Sequence, residues 1–385
     1  MISLPLPSKD ALAHSQQLQQ FIANAIQAQG GWIDFAQFMH MALYTPQLGY
    51  YSGGAKKFGL GGDFVTAPEI SPLFGQCLAS QIAQVLTQTS GDVLELGAGT
   101  GRLAVTVLLE LAALDTLPAH YYILEVSDYL REIQCEICTN ALPEALLDKV
   151  VWLDSLPANG FKGCIIANEV LDAIPIHLLG HNEQGLFERG VCLQQDALAW
   201  QDQPLRKGLL FDKAQKLNLP TPYLTEINLQ AHGLIASLAQ CLQRGVMLLI
   251  DYGFSAREYY HAQRHQGTLM CHYQQRAHDN PLLYVGLQDI TAHVDFTAIA
   301  QTAVDNHLQL AGYTSQAQFL INCGITELLQ MFSPHNIAQY APAVAAAQKL
   351  LSPAEMGELF KVIGFSKGVD ESLMGFLQGD KAHTL

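Results

Sequence analysis

The glycine-rich segment ELGAGTG at residues 95–101 is the part of this sequence with the clearest chemistry. It follows an apolar stretch and precedes a helical pattern, so it predicts a tight turn between a strand and a helix. Glycines in such a turn let the backbone approach a bound molecule closely, and the helix N-terminus attracts an anion such as a pyrophosphate. Glu95, two residues before the first glycine, instead attracts a cation. The segment therefore predicts a binding site for a molecule that carries one of these charges.

Two classes of cofactor fit the spacing of the glycines. Residues 99–104 fit the dinucleotide pattern G-x-G-x-x-G/A, whereas residues 95–101 fit the turn that binds S-adenosyl-L-methionine. Because Glu95 would repel a pyrophosphate and attract an ammonium or a sulfonium, we expect S-adenosyl-L-methionine. A dinucleotide site and a purely structural turn remain the alternatives. The predicted cofactor-binding residues are Glu95, Gly97, Gly99 and Gly101, together with Glu125 at the end of the next strand, where a carboxylate accepts hydrogen bonds from ribose hydroxyls.

Polar residues also lie at the ends of the fourth and fifth predicted strands, 164–167 and 246–251. Asn168 and Glu169 come directly after the first of these strands, and Asp251 ends the second. Ligands in open α/β sheets bind outside the carboxyl ends of the strands. We therefore predict that Asn168, Glu169 and Asp251 are catalytic residues on the methyl-acceptor side, with Asp172 close to the substrate. For Asn168 and Asp172, capping of the following helix is the alternative.

Further candidate substrate contacts lie in two other segments. Residues 44–76 are rich in glycine, proline and tyrosine, which predicts an ordered loop, and they contain Asp63 and Glu69. We expect these two carboxylates to belong to a lid over the substrate. The segment QDITAHVDF contributes His293, predicted as catalytic, and Asp295, predicted to contact the substrate. A hydrogen-bonded structural role is the alternative for both.

The chemistry of the acceptor follows from these carboxylates. Methyl transfer is an in-line displacement, in which positioning and exclusion of water supply most of the catalysis. A guanidinium keeps its proton and offers five N–H donors, so it needs carboxylates to hold and polarise it. Several carboxylates around one rim suit an arginine acceptor better than a hydroxyl or a thiol.

No metal site is predicted. Cys135 and Cys138 form a C-x-x-C pair inside a helical pattern, which is half of a zinc site at most. His293 and Asp295 likewise lack a matching set of ligands. We expect the eight cysteines to be free thiols.

The elements that must position these residues alternate between short apolar strands and helices from residue 92 onward. This alternation predicts an α/β fold with a parallel sheet covered by helices on both faces. Helices are expected over 8–29, from about 34, and from Ser71-Pro72 to about 89. The pattern of residues 185–222 predicts an inserted antiparallel segment. Residues 297–360 are predicted to be helical, and residues 359–366 are predicted to form a final strand.

These patterns predict three regions. Residues 1–90 would form N-terminal helices and the glycine-rich lid loop. Residues 91–255 with 355–370 would form the core, carrying the β insertion at 185–222. Residues 256–354 would form a substrate-side, helical insertion.

Composition excludes several classes of protein. The 385 residues include 20 Lys and Arg against 35 Asp and Glu, a net charge of −15, so a general positive field for nucleic acid is absent. Hydrophobic residues reach 49%, which excludes a disordered chain. No apolar run approaches the roughly 20 residues of a membrane-spanning helix. With no secretory or organellar signal at the N-terminus, we predict the bacterial cytoplasm, and neither nucleic acid nor membrane as a partner.

Several segments together resemble the MidA-like family of S-adenosyl-L-methionine-dependent methyltransferases. The resemblance runs over roughly residues 15–380, and GDFVTAPEISPLFG and QDITAHVDF are its most specific parts. The other matching segments are LGYYSGG, LELGAGTGRLA, YYILEVSDYLREIQ, IIANEVLDAIPIH, LLIDYGF, GTLMCHYQQRAHDNPL and MGELFKVIGFSK.

The resemblance implies a fold and a function. The fold would be a Rossmann-like class I methyltransferase core with a mostly parallel seven-stranded sheet, N-terminal helices and an added C-terminal helical region. Mitochondrial relatives are complex I assembly factors that methylate a protein arginine, so this chain would methylate a protein arginine, with a link to respiratory complex assembly. A non-catalytic assembly chaperone with the same fold and a small-molecule O- or N-methyltransferase are the alternatives.

Overall fold

The computed structural model describes residues 4–53 and 66–385. The helices of these residues are α1 (Lys9–Ala28), α2 (Phe35–Tyr44), α3 (Ala67–Ile70), α4 (Pro72–Thr89), α5 (Arg102–Ala113), α6 (Asp128–Ala141), α7 (Glu144–Leu147), α8 (Leu209–Ala214), α9 (Leu229–Cys241), α10 (Ala256–Tyr259), α11 (Phe296–Asp305), α12 (Gln316–Asn322), α13 (Ile325–Gln330) and α14 (Ile337–Leu351). The strands are β1 (Trp32–Asp34), β2 (Asp92–Leu96), β3 (Tyr121–Leu124), β4 (Val150–Leu153), β5 (Phe161–Asn168), β6 (His177–Asn182), β7 (Gly185–Gln194), β8 (Ala197–Pro204), β9 (Tyr223–Ile227), β10 (Leu242–Phe254), β11 (Met270–Tyr273), β12 (Arg276–His278), β13 (Asp289–Thr291), β14 (Val294–Asp295), β15 (Gln309–Ser315) and β16 (Phe360–Lys367).

Side-chain caps begin several helices where the sequence predicts them. The side chains of Ser8, Asp34 and Ser71 each accept a hydrogen bond from a backbone N–H in the first turn of α1, α2 and α4, at 3.2, 2.8 and 3.2 Å. These bonds satisfy N–H groups that have no partner inside the helix. Pro72 follows Ser71 at the first helical position, where its missing N–H costs nothing.

One compact unit comprises the described residues of Val65–Leu171 with Leu234–Ser255 and Val294–Leu385. Its sheet has the order β15-β16-β10-β5-β2-β3-β4, and the short strand β14 pairs with β10 as an eighth member. The five strands β10, β5, β2, β3 and β4 are parallel to one another. Strand β16 is antiparallel to both β10 and β15. The predicted mostly parallel seven-stranded sheet is therefore confirmed.

The carboxyl ends of the central strands lie level with one another. Leu96 of β2 pairs with Leu124 of β3 on one side and with Ala167 of β5 on the other. The order of the strands reverses between β2 and β5, which is where open α/β sheets bind ligands. The register therefore brings the residues that follow these three strands to one edge of the sheet.

The core of this unit packs α4 and α5 onto the sheet. Phe74 of α4 and Val107 of α5 share a buried cluster with Val93 of β2 and Cys164 of β5. Helix α4 thus belongs to this unit. The predicted boundary at residue 90 had placed it in a separate N-terminal region. All eight cysteines are free thiols, and all except Cys135 are buried.

The second compact unit comprises the described residues of Met1–Phe64 with Asp172–Gly233 and Ala256–His293. Its larger sheet has the order β1-β7-β6-β9 with β8 beside β7, and every pair is antiparallel. A smaller antiparallel sheet has the order β12-β11-β13. Leu18 and Ile22 of α1 and Phe38 of α2 form a core with Val191 of β7.

The observed boundaries also differ from the predicted ones at the antiparallel insertion, within residues 297–360, and in the predicted region 256–354, which is divided between the two units after His293. The antiparallel insertion extends from β6 to β9, beyond the predicted 185–222, and it groups with α1 and α2. The expectation of a helical region over 297–360 is wrong at β15, because this segment pairs antiparallel with β16. Its sequence QLAGYTS lacks the strict alternation that predicts a half-buried strand.

None of the helices in the described ranges combines the length and apolar character that crossing a bilayer requires.

Candidate cofactor and acceptor site

The glycine turn between β2 and α5 forms a cradle with open space beside it. Gly97, Gly99 and Gly101 have φ angles of 59°, 54° and 87°, in the left-handed region that favours glycine. The Gly97 N–H donates to the Leu124 carbonyl at 3.0 Å, which fastens the turn to β3. A Cβ added at Gly99 would meet no atom of the described residues within 4 Å, so a ligand can approach the backbone there. This geometry fits the predicted cofactor site.

Glu95 precedes the turn inside β2 and is only 2% exposed. The Tyr121 hydroxyl donates a hydrogen bond to Glu95 Oε2 at 2.7 Å. Burial raises the pKa of Glu95 to about 7; the Tyr121 hydrogen bond lowers it, and the charge of nearby Glu125 adds a further rise. A cation bound at the turn would favour the ionised form. Glu95 therefore fits a cofactor with an ammonium and a sulfonium group better than it fits a pyrophosphate.

Glu125 is held by a hydrogen-bond network around Gln134. Glu125 Oε1 accepts from the Ser127 N–H at 2.9 Å, and Oε2 accepts from the Gln134 side-chain amide at 2.9 Å. The same amide donates to the Gly99 carbonyl at 3.0 Å, and Gln134 Oε1 accepts from the Trp152 indole N–H at 3.1 Å. Gln134 therefore joins the predicted ribose-binding carboxylate to the glycine turn.

Gln134 and Val126 are residues that the sequence interpretation missed. Gln134 is completely buried on the face of α6 that also carries Leu130 and Cys138, so a glutamine in an apolar helical stripe was the available signal. Val126 directly follows Glu125 and is 79% exposed. Ligand pockets are lined mainly by apolar side chains, and Val126 offers such a surface beside the carboxylate that the sequence predicts to bind ribose.

Glu69 lies beside the cofactor turn, although the sequence predicted a substrate contact for it. The Thr100 hydroxyl donates to Glu69 Oε1, and Arg102 Nε lies 3.0 Å from Glu69 Oε2. Helix α3, which carries Glu69, therefore contacts both the glycine turn and the start of α5. Asp63, the other predicted lid carboxylate, lies outside the described residues.

Asn168 and Glu169 end β5 in an uncommon backbone conformation. Glu169 has a φ of 55°, and its N–H donates to the Ile250 carbonyl at 2.9 Å. Glu169 Oε1 accepts from the Asn168 side-chain amide at 3.1 Å and from the Ala67 N–H at 3.4 Å. Asn168 Oδ1 is buried and has no hydrogen-bond partner among the described residues. Such features are concentrated at functional sites, and this oxygen is suited to a ligand rich in donors.

Asp251 is hydrogen-bonded to the backbone of the segment that follows Glu169. It is 1% exposed, and Oδ2 accepts from the N–H groups of Val170 and Leu171 at 3.2 and 2.8 Å. Asp251 Oδ1 accepts from the Tyr252 N–H at 2.8 Å. These bonds to the backbone hold the turn that follows Glu169. Asp251 therefore holds this part of the backbone, and its predicted catalytic role stays a prediction.

Asp295 caps a helix in the structure. Its carboxylate accepts from the Ala298 N–H at 3.1 Å and caps α11. The structural alternative is therefore present, because a carboxylate that caps a helix satisfies one of the free N–H groups of its first turn. The predicted substrate contact stays a prediction.

Asp172 and His293 belong to the other compact unit. Asp172 is 5% exposed, and its carbonyl accepts from the Ala292 N–H at 3.0 Å, so it lies beside the segment that carries His293. The His293 N–H donates to Thr268 Oγ1 at 3.0 Å. The structure brings these two predicted residues together within their own unit.

Thr268 is held in turn by Glu226, a buried carboxylate that the sequence interpretation missed. Glu226 accepts from the N–H groups of Thr268 and Leu269 at 2.7 and 2.9 Å, and from the hydroxyls of Thr268 and Tyr259 at 3.1 Å. Burial raises its pKa, although these four hydrogen bonds lower it. The glycine at position 267 was the available sequence signal for this close contact. Any residue with a Cβ there would clash with the Glu226 carboxylate.

One group of side chains outside these sites has the composition of a metal centre. Asp34, His177 and Glu188 bring one potential ligand atom each within 4.8 Å of the others. His177 Nδ1 lies 2.7 Å from Glu188 Oε1. Burial lowers the pKa of His177, but the hydrogen bond and charge of Glu188 outweigh it and raise the pKa above its usual value. The pairing of His177 with Glu188 is an alternative to a bound metal, and the predicted absence of a metal stays a prediction.

Comparison with known proteins identifies the family. A family model described as "Putative S-adenosyl-L-methionine-dependent methyltransferase" matches residues 77–314, more than half of the chain, and the chain belongs to this family. It is thus an S-adenosyl-L-methionine-dependent methyltransferase, and the predicted MidA-like family, class I fold and cofactor are confirmed.

Individual relatives agree with this assignment. A crystal structure from Burkholderia thailandensis bound to S-adenosyl-homocysteine is 46% identical, with a TM-score of 0.96 and 100% of both chains covered. The Drosophila melanogaster protein arginine methyltransferase NDUFAF7 homolog, mitochondrial, is 28% identical over 94% of this chain and 87% of its own. The Danio rerio protein arginine methyltransferase NDUFAF7, mitochondrial, is 28% identical over 90% of this chain and 86% of its own.

Proposed function

We propose that this methyltransferase transfers a methyl group to an arginine side chain of a protein, with Asn168 and Glu169 on the acceptor side. The observation that carries the proposal is the buried Asn168 Oδ1, which lacks a partner among the described residues, beside the Glu169 carboxylate. A guanidinium has five donors and no acceptor, so it matches a site that offers acceptors. The relatives named as protein arginine methyltransferases support the same acceptor.

The residues of the cofactor site would hold S-adenosyl-L-methionine. The glycine turn would contact it through the backbone, Glu95 would attract its ammonium, and Glu125 would accept hydrogen bonds from its ribose. When bound, the cofactor supplies an electrophilic methyl group beside a sulfonium. Asp251 keeps the backbone of Val170 and Leu171 in place, which fixes the direction of Glu169. Glu169 would accept N–H hydrogen bonds from the guanidinium and take up the proton that the methylated nitrogen releases.

The sequence resemblance extends the proposal to the client protein. By that resemblance the substrate would be a subunit of a respiratory complex, methylated during assembly. The cytoplasmic location and the exclusion of nucleic acid and membrane as partners stay predictions.

Radiolabelled cofactor tests the acceptor. The protein is incubated with extracts of cells that lack its gene, and labelled proteins are hydrolysed for amino-acid analysis. We expect label in methylarginine, and a loss of about a hundredfold in rate for Glu169→Gln, since a positioned proton acceptor contributes roughly that factor. Glu188→Gln is the control, because Glu188 lies in β7 of the other unit.

Three results would contradict the proposal. Label in a small molecule would favour the small-molecule methyltransferase, and label in another amino acid would overturn the arginine assignment. A client that fails to assemble in cells lacking the gene, and yet carries no methyl group in wild-type cells, would favour the assembly chaperone.

A further inference from the structure

Glu69 is a charged residue that the cofactor chemistry does not use, although it is nearly buried. Its side chain is 10% exposed, and it lies in the short helix α3. One carboxylate oxygen accepts from the Thr100 hydroxyl and the other faces Arg102 Nε at 3.0 Å. Thr100 lies in the glycine turn, and Arg102 is the first residue of α5, the helix that follows the turn.

The glycine turn needs an external restraint. Glycines lose more conformational entropy on ordering than other residues, and the three in this turn adopt left-handed φ angles. Gly101 occupies the N-cap of α5 and has no side chain to cap it. Thr100 is the residue between Gly99 and Gly101, so its hydroxyl is the nearest side-chain group by which the turn can be held.

The Glu69–Arg102 ion pair by itself explains little. Arg102 is 58% exposed, and ion pairs of this kind contribute little to stability because water and salt screen them. The bond to Thr100 is different, since it joins a nearly buried carboxylate to the centre of the turn. Its effect is to fix the shape of the backbone that the cofactor contacts.

We propose that Glu69 is a positioning residue that holds Thr100 and Arg102, and with them the glycine turn, in the conformation that binds the cofactor. Its contribution is to cofactor affinity, because without this restraint the binding free energy must also order the turn. The proposal rests on the methyltransferase class of the chain and not on the identity of the acceptor.

Calorimetry with S-adenosyl-homocysteine on the full chain tests this role. We compare the wild type with Glu69→Ala, which removes the acceptor, Thr100→Val, which removes the donor, and the double variant. Each single variant should weaken binding about tenfold, the effect of losing one hydrogen bond to a charged group. The double variant should be no weaker than the weaker single variant, because both changes remove the same bond. Thr100→Ser keeps the hydroxyl and should restore binding to within about twofold.

Glu110→Ala is the matched control. Glu110 lies in α5 and accepts a hydrogen bond from Gln76 of α4 at 2.9 Å, so it also connects two helices of this unit, but away from the turn. We expect Glu110→Ala to lower the melting temperature about as much as Glu69→Ala while leaving the affinity for S-adenosyl-homocysteine within about twofold.

Several outcomes would overturn the proposal. Binding by Glu69→Ala that equals the wild type, or that is no weaker than in Glu110→Ala, would do so, as would single effects that simply add in the double variant. If Glu69→Ala does not fold, equal binding by Thr100→Val and Thr100→Ser would overturn it instead. Failure of the wild type to bind S-adenosyl-homocysteine would remove both the cofactor assignment and this role. Label in an acceptor other than arginine would overturn the proposed function alone.

Discussion

Glu95 and Glu226 are both buried glutamates, one in each compact unit, and their surroundings differ in one respect. Glu95 is 2% exposed and Glu226 is 3% exposed. Glu226 accepts four hydrogen bonds, whereas in the described part of the chain Glu95 accepts one, from Tyr121. A carboxylate surrounded by donors holds local structure, while one with few donors beside an open turn can still respond to a cationic ligand.

The two compact units also differ in net charge. The unit with the parallel sheet contains 9 Lys and Arg against 22 Asp and Glu, a net charge of −13. The other unit contains 11 against 13, a net charge of −2. The acidity of the chain therefore belongs almost entirely to the unit that contains the cofactor turn, although most of these carboxylates lie away from it.

Gly99→Val should have the largest effect. It places a branched side chain at a φ of 54° and into the open space of the turn, so we expect the affinity for S-adenosyl-homocysteine to fall on the order of a thousandfold by calorimetry. Gly185→Val is the control, because Gly185 also has a positive φ and open space around it but belongs to β7. Equal losses of affinity in both variants would show that strain alone is responsible.

Exchanging each buried glutamate for glutamine tests the comparison directly. Glu226→Gln presents an amide N–H₂ to groups that are themselves donors, and we expect a loss of about 3 kcal/mol in the free energy of unfolding in urea. Glu95→Gln replaces a carboxyl group whose pKa is already raised to about 7, so a loss below about 1 kcal/mol is expected near neutral pH. Similar losses in the two variants would show that the number of donors does not distinguish these sites.

Dependence on pH should separate Glu95 from the rest of the site. Its pKa rises from 4.5 to about 7 on folding, so its contribution to stability is full below 4.5 and is lost as the pH rises toward 7. A bound ammonium favours the ionised carboxylate. The affinity for S-adenosyl-homocysteine should therefore increase several-fold between about pH 6 and pH 8, with a proton released on binding. Glu95→Gln should abolish this increase, and an increase that persists in the variant would assign it to another group.

Asp295→Ala should have the smallest effect. Loss of the cap of α11 should lower the free energy of unfolding by about 1 kcal/mol and leave methyl transfer unchanged. Asp295→Asn keeps a capping oxygen and should recover most of this stability. A large loss of activity with unchanged stability would restore the substrate contact that the sequence predicted.

The sequence predicts the cofactor side of the site more completely than the acceptor side. The glycine turn and Glu125 are local in the sequence, because one strand, one turn and the following helix determine them. The contacts of Glu69, Asp251 and Asp295 could not be predicted in this way, since each depends on a backbone N–H or a side chain that only the folded chain brings close. Gln134 and Glu226 were missed for the same reason, as a polar residue in an apolar stripe does not reveal its partner.

The fold shows the same division. The parallel strands were predicted because each is a short apolar run next to a helix, which is a local pattern. Strand β15 was missed because its pairing with β16 comes from a segment far along the chain. The grouping of α1 and α2 with β6–β9 likewise depends on which apolar faces meet, and sequence periodicity does not specify this.

A crystal structure with S-adenosyl-homocysteine tests the central claim most directly. The account predicts the amino-acid end of the ligand beside Glu95 and the glycine turn, the ribose hydroxyls on Glu125, and the sulfur facing Asn168 and Glu169. A ligand bound elsewhere, or a sulfur directed away from Asn168 and Glu169, would contradict it.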